Sequence, residues 1–462
     1  MITVLAWLMI IVFMVLIMKK KMHPFAAIVS IPLLFTIIGV FFGLYKEAAA
    51  TAYKMAASDV TFGDQFKLLG DWIVQGLTKV SPTAFMLFFA ILFFSLMLDV
   101  GLFDPITKLV IRLAKGDPVK VLVGTGIISA IVSLSGDGTT TTLICCTALI
   151  PIYKKLNLKM MNLGVILILM NTILNLLPWS GPTARVISVL EGINANEILL
   201  ALVPGMAIAI LYVLGVSYYL GLKERKRLGI QHLSDEDIEL LIAQNATEQK
   251  AQISTKQTIA NTVLTIGAMF FLISGTFEPV FIFLVATVLA LVINYRTVNE
   301  QKQKIQDSAA DVLQTVIMIV GAGVFMGLFS YSGMSDALAS SLVHIIPQSF
   351  GRYWCLITTL ISAPGGFFLS NDGFFYGVLP VLAQTGVQYG FTSFQIGFAS
   401  LLGQAFHMLS PLTAFIYLLL SMTKLDMGEW QKEAGKWAVG IFIILIITGL
   451  VTGSLPVISN VH

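Results

Sequence analysis

A chain of 462 residues that is 57% hydrophobic and 11% charged, with mean hydropathy +0.88, is excluded from the soluble globular class; its recurring apolar runs mark a polytopic α-helical membrane protein. The net charge of +3 implies no nucleic-acid partner, because in a membrane protein the placement of basic residues matters and not their total. Cys145 and Cys146 are adjacent and Cys355 lies in another apolar stretch, so neither a disulfide framework nor metal-knuckle spacing is present.

The first apolar run, Ile2 to Met18, lacks a basic n-region and a small-residue cleavage site and is followed by Lys19-Lys20-Lys21, so it is read as a retained span. The next span is expected over 25–45. Residues 46–82 then carry Phe66, Leu69, Trp72, Ile73 and Leu77 at helical spacing, which predicts an amphipathic helix at the outer interface. A third span is expected over 84–103, a fourth over 160–178 continuing past a break to 188, and a fifth over 198–221. The second half gives 257–274, 279–294, 310–332, 393–422 with a break, and 438–455, making ten crossings. Residues 222–256 join the halves with KERKR and then SDEDIELLIAQ, where Ser234 and Asp237 can cap a short cytoplasmic helix; the segment is read as a tether.

Between the third and fourth span of each half lies an apolar region split by a polar tip: 121–134 with 143–152, and 354–369 with 374–383. Each arm falls short of the ~20 residues that a crossing needs. Lys120 precedes the first region and Lys154, Lys155 and Lys159 follow it, so both flanks lie on one side, as a re-entrant hairpin requires. With the hairpins drawn, one face holds 22 of the 28 Lys and Arg residues and the other holds five, leaving Arg185 alone within the membrane. The positive-inside rule makes the rich face cytoplasmic and both termini extracytoplasmic. The halves 1–221 and 257–462 then run in opposite directions. The expected fold is an all-α polytopic membrane protein of two inverted repeats. Each has five spans, one of them broken (160–188; 393–422), and one re-entrant hairpin (121–153; 353–384). Gly101 to Asp104 against Gly333 to Asp336, and Thr183-Ala184 against Thr413-Ala414, are further traces of the duplication.

The polar chemistry sits in this duplicated frame. The tips Ser135-Gly136-Asp137-Gly138 and Ser370-Asn371-Asp372-Gly373 each carry a carboxylate, and a charge held within a membrane is retained where it lines a cavity or an ion path. Around Asp137 the glycines let backbone approach a ligand, while the hydroxyls of Ser133, Ser135 and Thr139 to Thr142 can replace its water or simply cap two half-helices. About 40 residues beyond each tip the apolar helix is interrupted, at PWSGPTAR (178–185) and HMLSPLTA (407–414). Arg185, beside the first interruption, offers a permanently charged fork suited to a carboxylate; the alternative is an internal ion pair with Asp137 or Asp372. His407 could bind metal, carry a proton, or plug the second helix break. Asn171 and Asn175 are read as satisfying freed backbone groups, Asp99 as interfacial, and Glu191 and Asp336 as solvated. No paired nucleophile and base is visible, nor a cluster such as HExxH, so the chain is read as a transporter and not as an enzyme.

At SLSGDGTTT, NLLPWSGPTAR, LSNDGFFYGVLPVL and GQAFHMLSPL the sequence resembles the citrate-metal-proton symporter family (CitMHS) of the ion transporter superfamily, over essentially the entire chain. The resemblance implies uptake of citrate complexed with a divalent metal ion such as Mg²⁺ or Ca²⁺, coupled to protons, with no prosthetic group. It also implies a homodimer in the cell membrane that works as an elevator. Asp137 and Asp372, with Ser135, Ser370 and Asn371, would hold metal or proton, and His407 is added as a candidate metal ligand. Arg185, Ser180, Thr183, Ser410 and Thr413 would face the tricarboxylate, with Gly138, Thr139, Gly181, Asn371 and Gly373 completing the substrate contacts. Sodium-coupled relatives place Ser-Asn-Thr at both tips; Ser-Gly-Asp and Ser-Asn-Asp here favour protons or a metal-bound substrate. The rival reading is a sodium-coupled di- or tricarboxylate carrier, or a cation/proton antiporter, on the same frame.

Overall fold

Several helices here start at polar caps. Asp117 accepts the Val119 amide ahead of Pro118, and Ser254 with Gln257, Thr297 with Glu300 and Thr392 with Gln395 form reciprocal capping boxes. The computed structural model describes residues 1–19, 21–102, 104–231, 254–346 and 348–459, and among these every regular element is a helix. Among the described residues six helices are long and apolar enough to cross a membrane: Pro24–Phe41, Phe62–Asp99, Ala195–Leu228, Thr255–Ser274, Ala309–Tyr331 and Met427–Thr452. Shorter apolar helices are Pro118–Ser133, Met160–Leu174, Pro279–Asn294 and Trp354–Phe368, with another at the N-terminus.

The third span departs from the sequence expectation. In place of an interfacial helix followed by a span at 84–103, one continuous helix runs over Phe62–Asp99. Its 38 residues extend about 57 Å, well beyond a ~30 Å hydrocarbon core. Pro82 does not end it, because the hydroxyl of Ser81 donates to the Thr78 carbonyl oxygen (2.8 Å), which the proline leaves without an amide partner. Leu69 and Trp72 are accordingly buried against helix Ala309–Tyr331. The two third spans run antiparallel, with Ser95 and Ser308 hydroxyls 2.8 Å apart at one end and Gly76 against Gly323 and Gly327 at the other. Helices Pro24–Phe41 and Pro279–Asn294 flank them.

The hairpins are clamped near their bases. In the first, Pro118–Ser133 and Gly138–Lys155 are joined by residues 134–137, with the Thr125 and Tyr153 hydroxyls 3.0 Å apart. In the second, Trp354–Phe368 returns through a π-helical turn, Gly373–Val378, into Leu379–Gln388, and Trp354 Nε1 donates to the Leu382 carbonyl (2.8 Å). Each base meets the end of its own repeat's closing span. Arg225 pairs with Asp117 (Nε to Oδ1, 3.0 Å), and the Ser459 amide donates to the Arg352 carbonyl (3.0 Å). KERKR is therefore part of helix Ala195–Leu228 and is tied to the first hairpin; it does not begin the tether at residue 222. The cap expected at Ser234 and Asp237 lies outside the described residues.

Candidate functional site

Both helix interruptions satisfy their freed carbonyls with local hydroxyls. In the first, between Met160–Leu174 and Gly181–Val189, Thr183 Oγ1 donates to the Leu176 carbonyl (2.7 Å) and Ser180 Oγ to that of Leu174 (3.4 Å). In the second, between Gln404–His407 and Ala414–Thr423, Thr413 Oγ1 donates to the His407 carbonyl (3.2 Å). Ser410 Oγ reaches across to the Phe367 carbonyl (2.6 Å), and His407 Nδ1 lies 2.7 Å from the Gly366 carbonyl. The Ser410 and His407 contacts dock the second hairpin onto the break of its own repeat. On the other side, Trp179 Nε1 donates to the Leu134 carbonyl (2.9 Å).

The first tip turns at Gly136, whose φ of +73° belongs to the left-handed region and where an added Cβ would lie 2.5 Å from Ser180 Oγ. Gly136→Ala is expected to destabilise the fold by ~1–3 kcal/mol, seen as a lower melting point of the purified protein. Gly192→Ala is the control, since Gly192 has φ +75° with nothing within 4 Å of an added Cβ and suffers backbone strain alone.

Each tip also meets the opposite repeat. Arg185, from the first broken helix, points Nε (2.9 Å) and Nη2 (2.8 Å) at the same Oδ1 of Asp372, on the second tip. Its guanidinium lies 5.8 Å from the centroid of the Tyr376 ring, which the π-turn places beneath it. The corresponding contact of the first tip is apolar: Phe415 lies against Gly138, where an added Cβ would be 2.4 Å from the ring. Asp137 caps its helix through Thr140 N (2.6 Å to Oδ2) and, among the described residues, forms no ion pair.

These groups line one cavity of about 1280 Å³. Of the residues expected from sequence, it brings together Ser135, Asp137, Gly138, Thr139, Gly181, Arg185, Asn371 and Asp372. Ser180, Thr183, Ser410 and Thr413 do not line it, because their hydroxyls are turned onto backbone carbonyls. Ser370 instead accepts the Gly373 amide (3.1 Å) within the tip, and Gly373 is likewise off the cavity wall. His407 is buried and does not line the cavity; its Nδ1 lies against the Gly366 carbonyl, the contact that the helix-plugging alternative expects. Of the two asparagines, Asn175 lines the cavity. Asn171 is fully buried with neither amide atom hydrogen-bonded, so it does not serve the freed backbone.

The facing wall escaped the sequence reading. It comes from the antiparallel third spans: Phe94, Ser95, Leu98 and Asp99 from one, Asp311, Gln314, Thr315 and Met318 from the other. Only the uncharged and charged polar residues inside these apolar runs, such as Gln314 and Asp311, could have signalled it. On this wall, Lys304 Nζ donates to Asp99 Oδ1 (2.8 Å) and Tyr295 donates to Asp99 Oδ2 (2.8 Å). The Asp99 hydrogen bond holds the Lys304 ammonium above its ordinary pKa. Asp99 is thus ion-paired and lines the cavity.

A sequence profile of the family described as citrate transporter, CitMHS, matches residues 13–403. The chain belongs to the citrate transporter family. Two Bacillus subtilis (strain 168) proteins align along nearly their entire lengths. The "Citrate transporter" is 39% identical over 98% of this chain and 99% of its own, and the "Mg(2+)/citrate complex secondary transporter" 36% identical over 99% and 100%. The crystal structure of the Alcanivorax borkumensis YdaH transporter matches with a TM-score of 0.56 over 84% of this chain and 89% of its own, at 14% identity, so that likeness concerns the fold alone. A multi-pass membrane transporter of this family, with two inverted repeats and hairpins, is therefore the protein in hand.

Proposed function

We propose that the protein carries citrate, complexed with a divalent metal ion, across the cell membrane by proton-coupled symport. The observation that carries this reading is Arg185, a charged fork on the wall of a cavity where both hairpin tips converge on two carboxylates. Its full-length similarity to the Mg(2+)/citrate complex transporter supports the metal-bound form of the substrate. In this reading Arg185 grips a citrate carboxylate. Asp137 and Asp372 face the metal, and Thr139, Asn371 and the backbone at Gly138 and Gly181 complete the contacts. Placing the basic face in the cytoplasm makes both termini extracytoplasmic and the cavity inward-facing, since Lys304 and His23, from segments of that face, line it. The hairpins and broken helices, as one body, then move as an elevator against the third spans, in a homodimer.

Labelled citrate uptake into proteoliposomes under an imposed proton gradient, sodium absent, tests this with Mg²⁺, Ca²⁺ or chelator outside. Uptake that needs the metal and is abolished by a protonophore is expected. Uptake that waits for sodium or ignores the metal would move the protein to the sodium-carboxylate or free-acid class.

A further inference from the structure

We propose that the Arg185–Asp372 pair is a charge-exchange switch that makes binding of the anion and the cation mutually dependent. A substrate carboxylate takes Arg185 from Asp372, and the released Asp372 joins Asp137 as the second carboxylate facing the cation. The inference rests on the transport reading above and explains why the two ions would travel together.

The observation behind it is an asymmetry between the repeats. The match of Thr183-Ala184 with Thr413-Ala414 makes Phe415 the counterpart of Arg185, as Asp137 is the counterpart of Asp372. Each residue meets the opposite tip, but one contact is an ion pair and the other a ring against glycine. Asp137, its carboxylate engaged among the described residues only by the Thr140 amide at Oδ2, consequently keeps Oδ1 for a cation, whereas Asp372 is held by Arg185. The hold is of a kind a substrate can break. Both guanidinium nitrogens share Oδ1, leaving Asp372 Oδ2 without a hydrogen bond among the described residues, and the pair keeps 18% and 19% side-chain exposure at the cavity wall. A guanidinium that binds carboxylate end-on can receive another carboxylate with the fork it already presents.

The consequence is linkage. Metal-free citrate at Arg185 strands Asp372 as an unpaired carboxylate beside a polyanion, and a cation arriving alone finds Asp137 while Asp372 remains engaged. Together, each removes the other's penalty, and the coupling is reciprocal.

The test uses the purified full-length protein in nanodiscs, titrated separately with citrate in chelator, with Mn²⁺ alone, and with the Mg²⁺–citrate complex. Asp372→Asn frees Arg185, so metal-free citrate should bind it about 5- to 150-fold more tightly than wild type, the range of ordinary coupling energies. Asp137→Asn removes the same charge from the cavity without freeing Arg185 and should gain less. Arg185→Gln releases Asp372, so Mn²⁺ alone should bind more tightly than to wild type. Melting points of all three report whether they are folded. Equal gains from the two Asp variants would reduce the effect to a change of field and overturn the switch, as would unchanged or weaker citrate binding by Asp372→Asn. Failure of wild type to bind the Mg²⁺–citrate complex would instead overturn the transport reading itself.

Discussion

Citrate uptake by the Arg185→Gln protein is expected to fall by about 100-fold or more, with the folded, membrane-inserted protein still recoverable. Truncating one partner of a buried, hydrogen-bonded charge pair between protein and ligand typically costs ~2–5 kcal/mol of binding, and each 1.4 kcal/mol is about tenfold. Here the loss falls on the substrate, because Gln cannot offer a charged fork to a carboxylate. Arg185→Lys should recover only part of the activity, since a point charge replaces a planar donor pair already positioned over Tyr376. The measurement is initial uptake against citrate concentration in proteoliposomes of matched protein content. Uptake by Arg185→Gln within about twofold of wild type would remove this residue from the substrate site.

What could be read from the sequence was what membrane burial makes expensive. Arg185, Asp137 and Asp372 stand out because ionisable groups within apolar runs need a partner or a cavity, and the structure places all three on one. The hairpins were legible for a different reason: their arms are too short to cross and Lys120 and Lys154 sit on one side. The polar residues of the breaks were ambiguous in kind. A hydroxyl beside a proline serves a ligand or a freed carbonyl equally well by composition, and Thr183, Ser410 and Thr413 turned out to serve carbonyls. His407 resolves the same way.

The far wall of the cavity was illegible because it depends on pairing between distant segments. Nothing local in Asp99 says that Lys304, 205 positions away, will reach it at 2.8 Å. The third span was misjudged because Pro82 and the amphipathic pattern before it argue locally for two helices. The decisive fact is that Trp72 and Gly76 meet Gly327 and Gly323 of the other repeat.

That crossing carries the second large effect. Gly327→Val is expected to destabilise the protein by ~3 kcal/mol or more, at or beyond the upper end of ordinary overpacking. An added Cβ at Gly327 would lie 2.2 Å from the Trp72 carbonyl oxygen, and one at Gly76 would lie 2.0 Å from that of Gly323. Backbone cannot rotate out of the way as a side chain can, so the helices must separate along their contact. With little hydrophobic drive between helices in lipid, close backbone approach at small residues is itself a large part of what holds such a pair. Separation would loosen Trp72, Val324 and Leu328, which are buried between them, and strain the Ser95–Ser308 contact further along. Thermal unfolding of the detergent-purified protein is the readout. Gly215→Ala serves as the control, because nothing lies within 4 Å of an added Cβ there and alanine is the better helix former, so its melting point should hold or rise. A Gly327→Val protein that melts with wild type would mean that the third spans are not held by this contact. The two variants separate the two walls of the cavity, since Arg185→Gln removes the proposed substrate contact from a folded protein, whereas Gly327→Val acts through helices bearing none of the residues proposed to touch the substrate.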